Sequence, residues 1–170
     1  MKSGFNNFKI LERNKDKKLV PAKESNYHVA VYYIEPFEKN KKVHGFDVAS
    51  NKTRKEALEK ARDVNRAVGT NKITLVQGEK KENGILVFQP IYKRNSDIET
   101  IKARQKNLAG YMVGVFNIDT LVKTALKNLD TEGLVIQLKD NSNKSLLYQH
   151  PGDYDTSNIH KLTNDHKSGY

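Results

Sequence analysis

No apolar run in this chain is longer than the six residues Val29 to Ile34. A bilayer span needs roughly 20, so no segment of this sequence is expected to cross a membrane. Apolar residues come in short pieces divided by charged turns, and only two stretches carry a helical stripe. Such punctuation favours strands joined by hairpins, with few helices. The 170 residues suffice for one domain with a real core. There is no cysteine, which removes disulfides, thiolate metal sites and a cysteine nucleophile. Met1-Lys2-Ser3-Gly4 leads into polar chain without the apolar stretch of a signal peptide. Taken by itself, this points to a soluble cytoplasmic protein.

Lys and Arg number 30 against 20 Asp and Glu, a formal net charge of +10. That excess raises nucleic acid as a partner. The cations, however, sit in scattered Lys-rich turns such as Lys15 to Lys18 and Lys39 to Lys42, interrupted by Asp or Asn. Base readout favours clustered Arg. A solvated Lys-rich surface is the expectation, with no nucleic-acid partner.

Tyr27 to Glu35 is apolar or aromatic on both faces and reads as a central, doubly covered strand that Pro36 ends. Phe37 to Gly45 reads as a charged loop. A helix is expected over Thr53 to Val68, with Ala57, Leu58, Ala61, Val64 and Val68 as its stripe. Thr53 and Glu56 fit a capping box, and Gly69 is a natural residue just beyond the helix end. Lys72 to Gln77 and Ile85 to Tyr92 read as strands around a turn over Glu79 to Gly84. A short helix at Ile98 to Gln105 follows, then a central strand from Tyr111 to Phe116. Asp119 to Leu129 is the second striped helix. Strands at Gly133 to Lys139 and Ser145 to Gln149 close the pattern, and 151–170 forms a polar, loosely held tail. The order predicts an α+β fold with an antiparallel sheet and flanking helices.

Chemistry is sparse. The five His residues lack metal-ligand spacing on one face, and no Gly-rich phosphate loop or nucleophile elbow is present. No catalytic residue, metal or cofactor is expected. What remains is an aromatic set (Tyr33, Phe46, Phe88, Tyr92, Tyr111, Phe116) with one carboxylate, Asp47, between Phe46 and Val48. A small-molecule pocket combines apolar walls with few polar groups; the same aromatics equally suit a plain core. A carboxylate among apolar neighbours is exposed, caps a helix, or meets a polar partner. Gly114 in mid-strand marks close approach of a ligand or of a bulky neighbour.

The ordered set Tyr33-Ile34-Glu35-Pro36, Gly45-Phe46-Asp47, Arg54 to Arg62, Thr70 before Ile73-Thr74-Leu75-Val76, Leu86 to Tyr92, and Gly110 to Phe116 with Asp119 behind it resembles the CHASE domain. The resemblance covers about residues 4–140. It implies a PAS-like extracytoplasmic sensor of membrane histidine kinases and nucleotide or diguanylate cyclases, related to the plant cytokinin receptors. Residues 1–150 would be the sensor. The stalk helix, the flanking transmembrane helices and the kinase or cyclase would lie outside this chain, and a homodimer would form in the full receptor. On this reading the location is periplasmic or extracellular, and the membrane is met only through those missing helices.

The resemblance also implies site roles. Asp47 matches a residue that hydrogen-bonds the ligand, and Thr70 one needed for hormone binding. Tyr33, Phe88, Tyr111 and Gly114 match pocket-lining positions, and a small molecule is expected to sit between these sheet residues and the Phe46-Asp47 loop with the Thr53 helix. Gly69 departs from the plant receptors, which carry a bulky aliphatic there. That reshapes the pocket and sets cytokinin itself in question. The competing reading is a basic interaction module that binds an acidic partner, polymer or anionic lipid head group.

Overall fold

A computed structural model describes residues 8–77, 80–141 and 144–152. It is an α+β fold built on antiparallel sheets, compatible with the PAS-like arrangement. The chain divides into two compact units, Met1–Asn117 and Ile118–Tyr170.

The first unit opens with a small hairpin, β1 (Leu11–Arg13) on β2 (Leu19–Pro21). Short helix α1 (Phe37–Asn40) and a 3-10 turn, Lys41–Val43, occupy what reads in sequence as a charged loop. A second 3-10 turn, Val48–Ser50, leads into the long helix α2 (Lys52–Val64). Then come β3 (Val68–Gly69), β4 (Ile73–Gln77), the long strand β5 (Lys80–Tyr92), α3 (Ile101–Asn107) and β6 (Leu108–Asn117). β5 is the spine. β3 and β4 pair along one edge and β6 along the other, all antiparallel. Pro90 lies beyond the reach of β3, where β5 has only β6 beside it among the described strands. A missing N–H is harmless there.

The pleat sorts side chains between the two faces. Leu86 and Phe88 face α2, with Tyr111 placed on the same side by its pairing opposite Pro90. Against them α2 sets Ala57, Leu58 and Ala61, its buried stripe, while Phe46 and Val48 complete the core. Phe88 and Leu58 are fully buried.

Several sequence expectations need correction. Tyr27 to Glu35 is not a central strand. Four residues, 45–48, take the middle position instead: Leu11 pairs with Phe46 on one side and Ala30 with Asp47 on the other. Val31 N donates to Phe46 O (3.0 Å), and Val48 N to Val29 O (2.8 Å). The 45–48 segment turns at once into its 3-10 turn, so the apolar run has too little partner to form a ladder, and Tyr33 is left 79% exposed. Gly45 (φ +81°) approaches Lys9 O so closely that a Cβ would collide with it.

The helix is capped two residues earlier than the sequence suggests. Asn51 Oδ1 accepts from Arg54 N (3.2 Å), so the Thr53 capping box is not used. Asn65, in the left-handed region, ends α2, and Gly69 lies in β3 rather than at the helix end. Asn51→Ala is expected to cost about 1 kcal/mol and Thr53→Ala clearly less, read from urea melts. Residues 80–84, expected as a turn, belong to β5; 78–79 lie outside the described residues.

The second unit holds α4 (Ile118–Leu126) and the hairpin β7 (Ile136–Lys139) with β8 (Leu146–His150). α4 packs on β8, where Tyr148 is buried. Of the polar segment 151–170, only Pro151 and Gly152 are among the described residues.

Candidate functional site

Asp47 is 4% exposed and occupies the joint between the 45–48 segment and the turn before α2. Its Oδ1 accepts from Val29 N (2.9 Å) and Ala49 N (3.0 Å), and its Oδ2 accepts from His28 Nδ1 (2.8 Å). Of the readings open to it in sequence, it is both a cap and a polar partner. Burial makes these bonds necessary, because an unpaired carboxylate in such a place is costly. One bond from a backbone amide on each side of the segment pins residues 28–29 to 47–49. His28 is the outermost of the three donors, with its side chain 22% exposed. The sequence points to Asp47 but not to His28, whose position 19 residues earlier belongs to no periodic pattern.

Thr70 is also buried. Its N donates to Leu86 O (2.8 Å), and its hydroxyl oxygen accepts from Leu86 N (3.1 Å). The side chain thus stands in for a ladder acceptor where β3 has ended. Phe46, Phe88 and Tyr111 come together in the core under α2. Phe88 meets Tyr111 edge to face, at 6.3 Å between ring centroids.

Gly69 and Gly114 pair with Val87 from its two sides, on the sheet face away from Phe88. The ring of Phe116 accounts for Gly114: a Cβ would come within 2.7 Å of it. Tyr33 stands apart, its ring edge-on to Tyr32. The candidate residues therefore fall into a buried set of Phe46, Asp47, Thr70, Phe88 and Tyr111, a pair of glycines on the opposite face, and the exposed Tyr33.

Tyrosine hydroxyls tie α2 down. Tyr111 donates to Leu58 O (3.0 Å), Tyr92 to Arg62 O (2.5 Å) and Tyr27 to Glu59 Oε1 (2.8 Å). Burial, ahead of any neighbouring charge, pushes the Tyr111 phenol from 10.0 up to about 12. Tyr27 and Tyr92 are raised as well, burial again being the largest cause. The folded state thus keeps the Tyr111 proton after the unfolded chain has lost its own. Stability from this group is whole below pH 10.0 and falls away as the pH rises from there to about 12. Tyr111→Phe is expected to cost about 1 kcal/mol at neutral pH and to remove one late-titrating tyrosinate absorbance, ahead of that of Tyr27, from an alkaline titration.

At the C-terminal end of α2, Asp63 accepts from Arg62 Nε (2.7 Å) and Gln105 (3.2 Å), and the Arg62 hydrogen bond holds its carboxyl below the usual carboxylate range. Arg104 Nε donates to Asp63 O (3.0 Å), so α3 is locked onto α2. In the second unit an open cleft of about 490 Å³ is lined by Thr131, Glu132, Leu134, His150 and their neighbours. Among the described residues no three His, Asp or Glu side chains gather as a metal site, and no helix is long and apolar enough to cross a membrane.

The family model described as CHASE domain matches residues 1–148. The hybrid signal transduction histidine kinase A of Dictyostelium discoideum is 25% identical over an alignment of 123 residues that covers 69% of this chain and 6% of that kinase. The chain therefore spans a small part of the relative it matches. With most of its length matched, it belongs to the CHASE domain family, sensory and not catalytic domains of signalling receptors.

Proposed function

We propose that this chain is the extracytoplasmic, ligand-binding part of a transmembrane receptor, and that Asp47 is the group that registers the ligand. The output would be a histidine kinase or a diguanylate cyclase outside this chain. One observation carries the reading: a buried carboxylate holds two backbone segments together, and one of its three donors is a partly exposed side chain.

A small molecule bearing an N–H or O–H donor would take Oδ2 in place of His28. The Val29 and Ala49 amides would keep Oδ1. Residues 28–31 would then be held less tightly against 45–48, at the foot of α2. Binding can shift the receptor only by the ligand's differential affinity for the two arrangements. Thr70, Phe88 and Tyr111 are proposed as walls and Tyr33 as a rim residue; Gly69 and Gly114 lie on the sheet face away from Phe88 and are not proposed to touch the same ligand. Dimerisation in the full receptor and the absence of a nucleic-acid partner belong to the same proposal.

A thermal-shift screen of purines, amino acids and organic acids tests it. A ligand at about 100 times its Kd adds about 2.7 kcal/mol of stability. His28→Ala, which frees Oδ2 without touching the amides, is expected to bind the hit more tightly than the parent chain. Equal or weaker binding by that variant would count against displacement of His28.

A further inference from the structure

Arg54 lies in the first turn of α2, a turn that holds no acid. Its Nε is buried and has no hydrogen-bond partner among the described residues. Its guanidinium carbon is 5.4 Å from the centroid of the Phe46 ring, and that of Arg13 is 6.0 Å from the same centroid. Arg13 Nη1 donates to Lys17 O (2.9 Å). Among the described ion pairs neither arginine appears, and Glu12, the neighbour of Arg13, faces Lys23 at 3.8 Å. Two like charges therefore converge on one ring, at the helix end whose dipole is already positive. Burial, and then Arg13, makes the Arg54 guanidinium easier to deprotonate than usual. Cation–π contact explains why each side chain lies on the ring. It does not explain why they lie there together, or why a buried donor is left open.

We propose that Arg13 and Arg54, converging on Phe46, form a binding site for an oxyanion, the carboxylate or phosphate group of a small molecule. An oxyanion accepts from the guanidinium N–H groups of the two arginines, and it cancels the repulsion between them. Arg13 is exposed and Arg54 half-buried, so the anion arrives from solvent. The proposal goes beyond the sensor reading and does not need Asp47 to meet a ligand, since the Asp47 oxygens are held by other donors.

The test is a thermal-shift and calorimetric titration of the full chain with sodium phosphate and, separately, sodium acetate, at matched ionic strength in chloride. The expected result is a saturable stabilisation by at least one of the two, which also says whether phosphate or carboxylate is preferred. Arg13→Gln, an exposed change that spares the core, should weaken it roughly tenfold or more. Arg54→Met, which keeps an aliphatic stem over Phe46, should abolish it and raise Tm in chloride alone. Failure of both anions to saturate overturns the proposal, since a linear rise is the general exclusion of such salts from protein surfaces. A parent-like titration by Arg13→Gln also overturns it. So does a lower Tm for Arg54→Met with the anion response intact, which would make Arg54 a packing group.

Discussion

Asp47→Ala is expected to destabilise the first unit by about 3–5 kcal/mol, in urea melts followed by circular dichroism. The substitution leaves the Val29 and Ala49 amides without their acceptor and removes the partner of His28. Each hydrogen bond to a charged group is worth about 1.5–3 kcal/mol, and a donor left buried costs its desolvation as well. The full sum is not expected, because residues 28–29 can open to water on their exposed side. Asp47→Asn keeps one carbonyl oxygen to accept from the amides and should lose only about 1–2 kcal/mol. A loss within about 0.5 kcal/mol for the Ala variant would show that the carboxylate does not hold these segments together.

Phe88→Ala is expected to cost a similar amount, about 3–5 kcal/mol, for a different reason. The ring is wholly buried where β5 crosses under α2, and it meets Tyr111 edge to face. Truncation removes the transfer energy of the ring, its aromatic contact, and the filling of a space that Leu58 and Ala61 border from the helix. Phe88→Leu keeps most of the volume and should lose markedly less. The two variants separate core filling from polar locking. The cavity variant should lose stability and weaken any ligand response together, because Phe88 is also a proposed wall of the pocket. Asp47→Asn should lose that response while giving up only about 1–2 kcal/mol of stability.

β5 and α2 are legible in the sequence because their signals are local and periodic, whereas Tyr111 to Phe116, which reads as a central strand, lies in β6 and pairs with β5 alone among the described strands. β5 alternates between buried Leu86 and Phe88 and half-buried Ile85 and Val87, and Ala57, Leu58 and Ala61 repeat on one helical face. The apolar run at 29–34 misled because hydropathy reports burial and not partnership. Whether such a run forms a ladder depends on its neighbour, and here the neighbour is four residues long and ends in a cap. Asn51 and Thr53 are both sound capping residues; the choice between them follows from where the preceding turn delivers the chain.

The same distinction applies to the site. Asp47 stood out as a charge among apolar neighbours, and Thr70 through the family resemblance. His28 and the two arginines did not, because the His28–Asp47 contact spans 19 residues and the Arg13–Phe46 contact spans 33, and such separations leave no mark on spacing. Gly114 had two readings in sequence, and the Phe116 ring beside it supplies the bulky neighbour.

The most direct measurement of the central claim is the nitrogen NMR signal of the His28 imidazole during titration with a hit from the ligand screen. In the free chain Nδ1 is bonded to Asp47. The account predicts that this signal moves to that of an imidazole released to water, in step with saturation, while the Val29 and Ala49 amides keep their hydrogen-bonded shifts. A ligand that saturates the chain while the His28–Asp47 bond stays intact would contradict it.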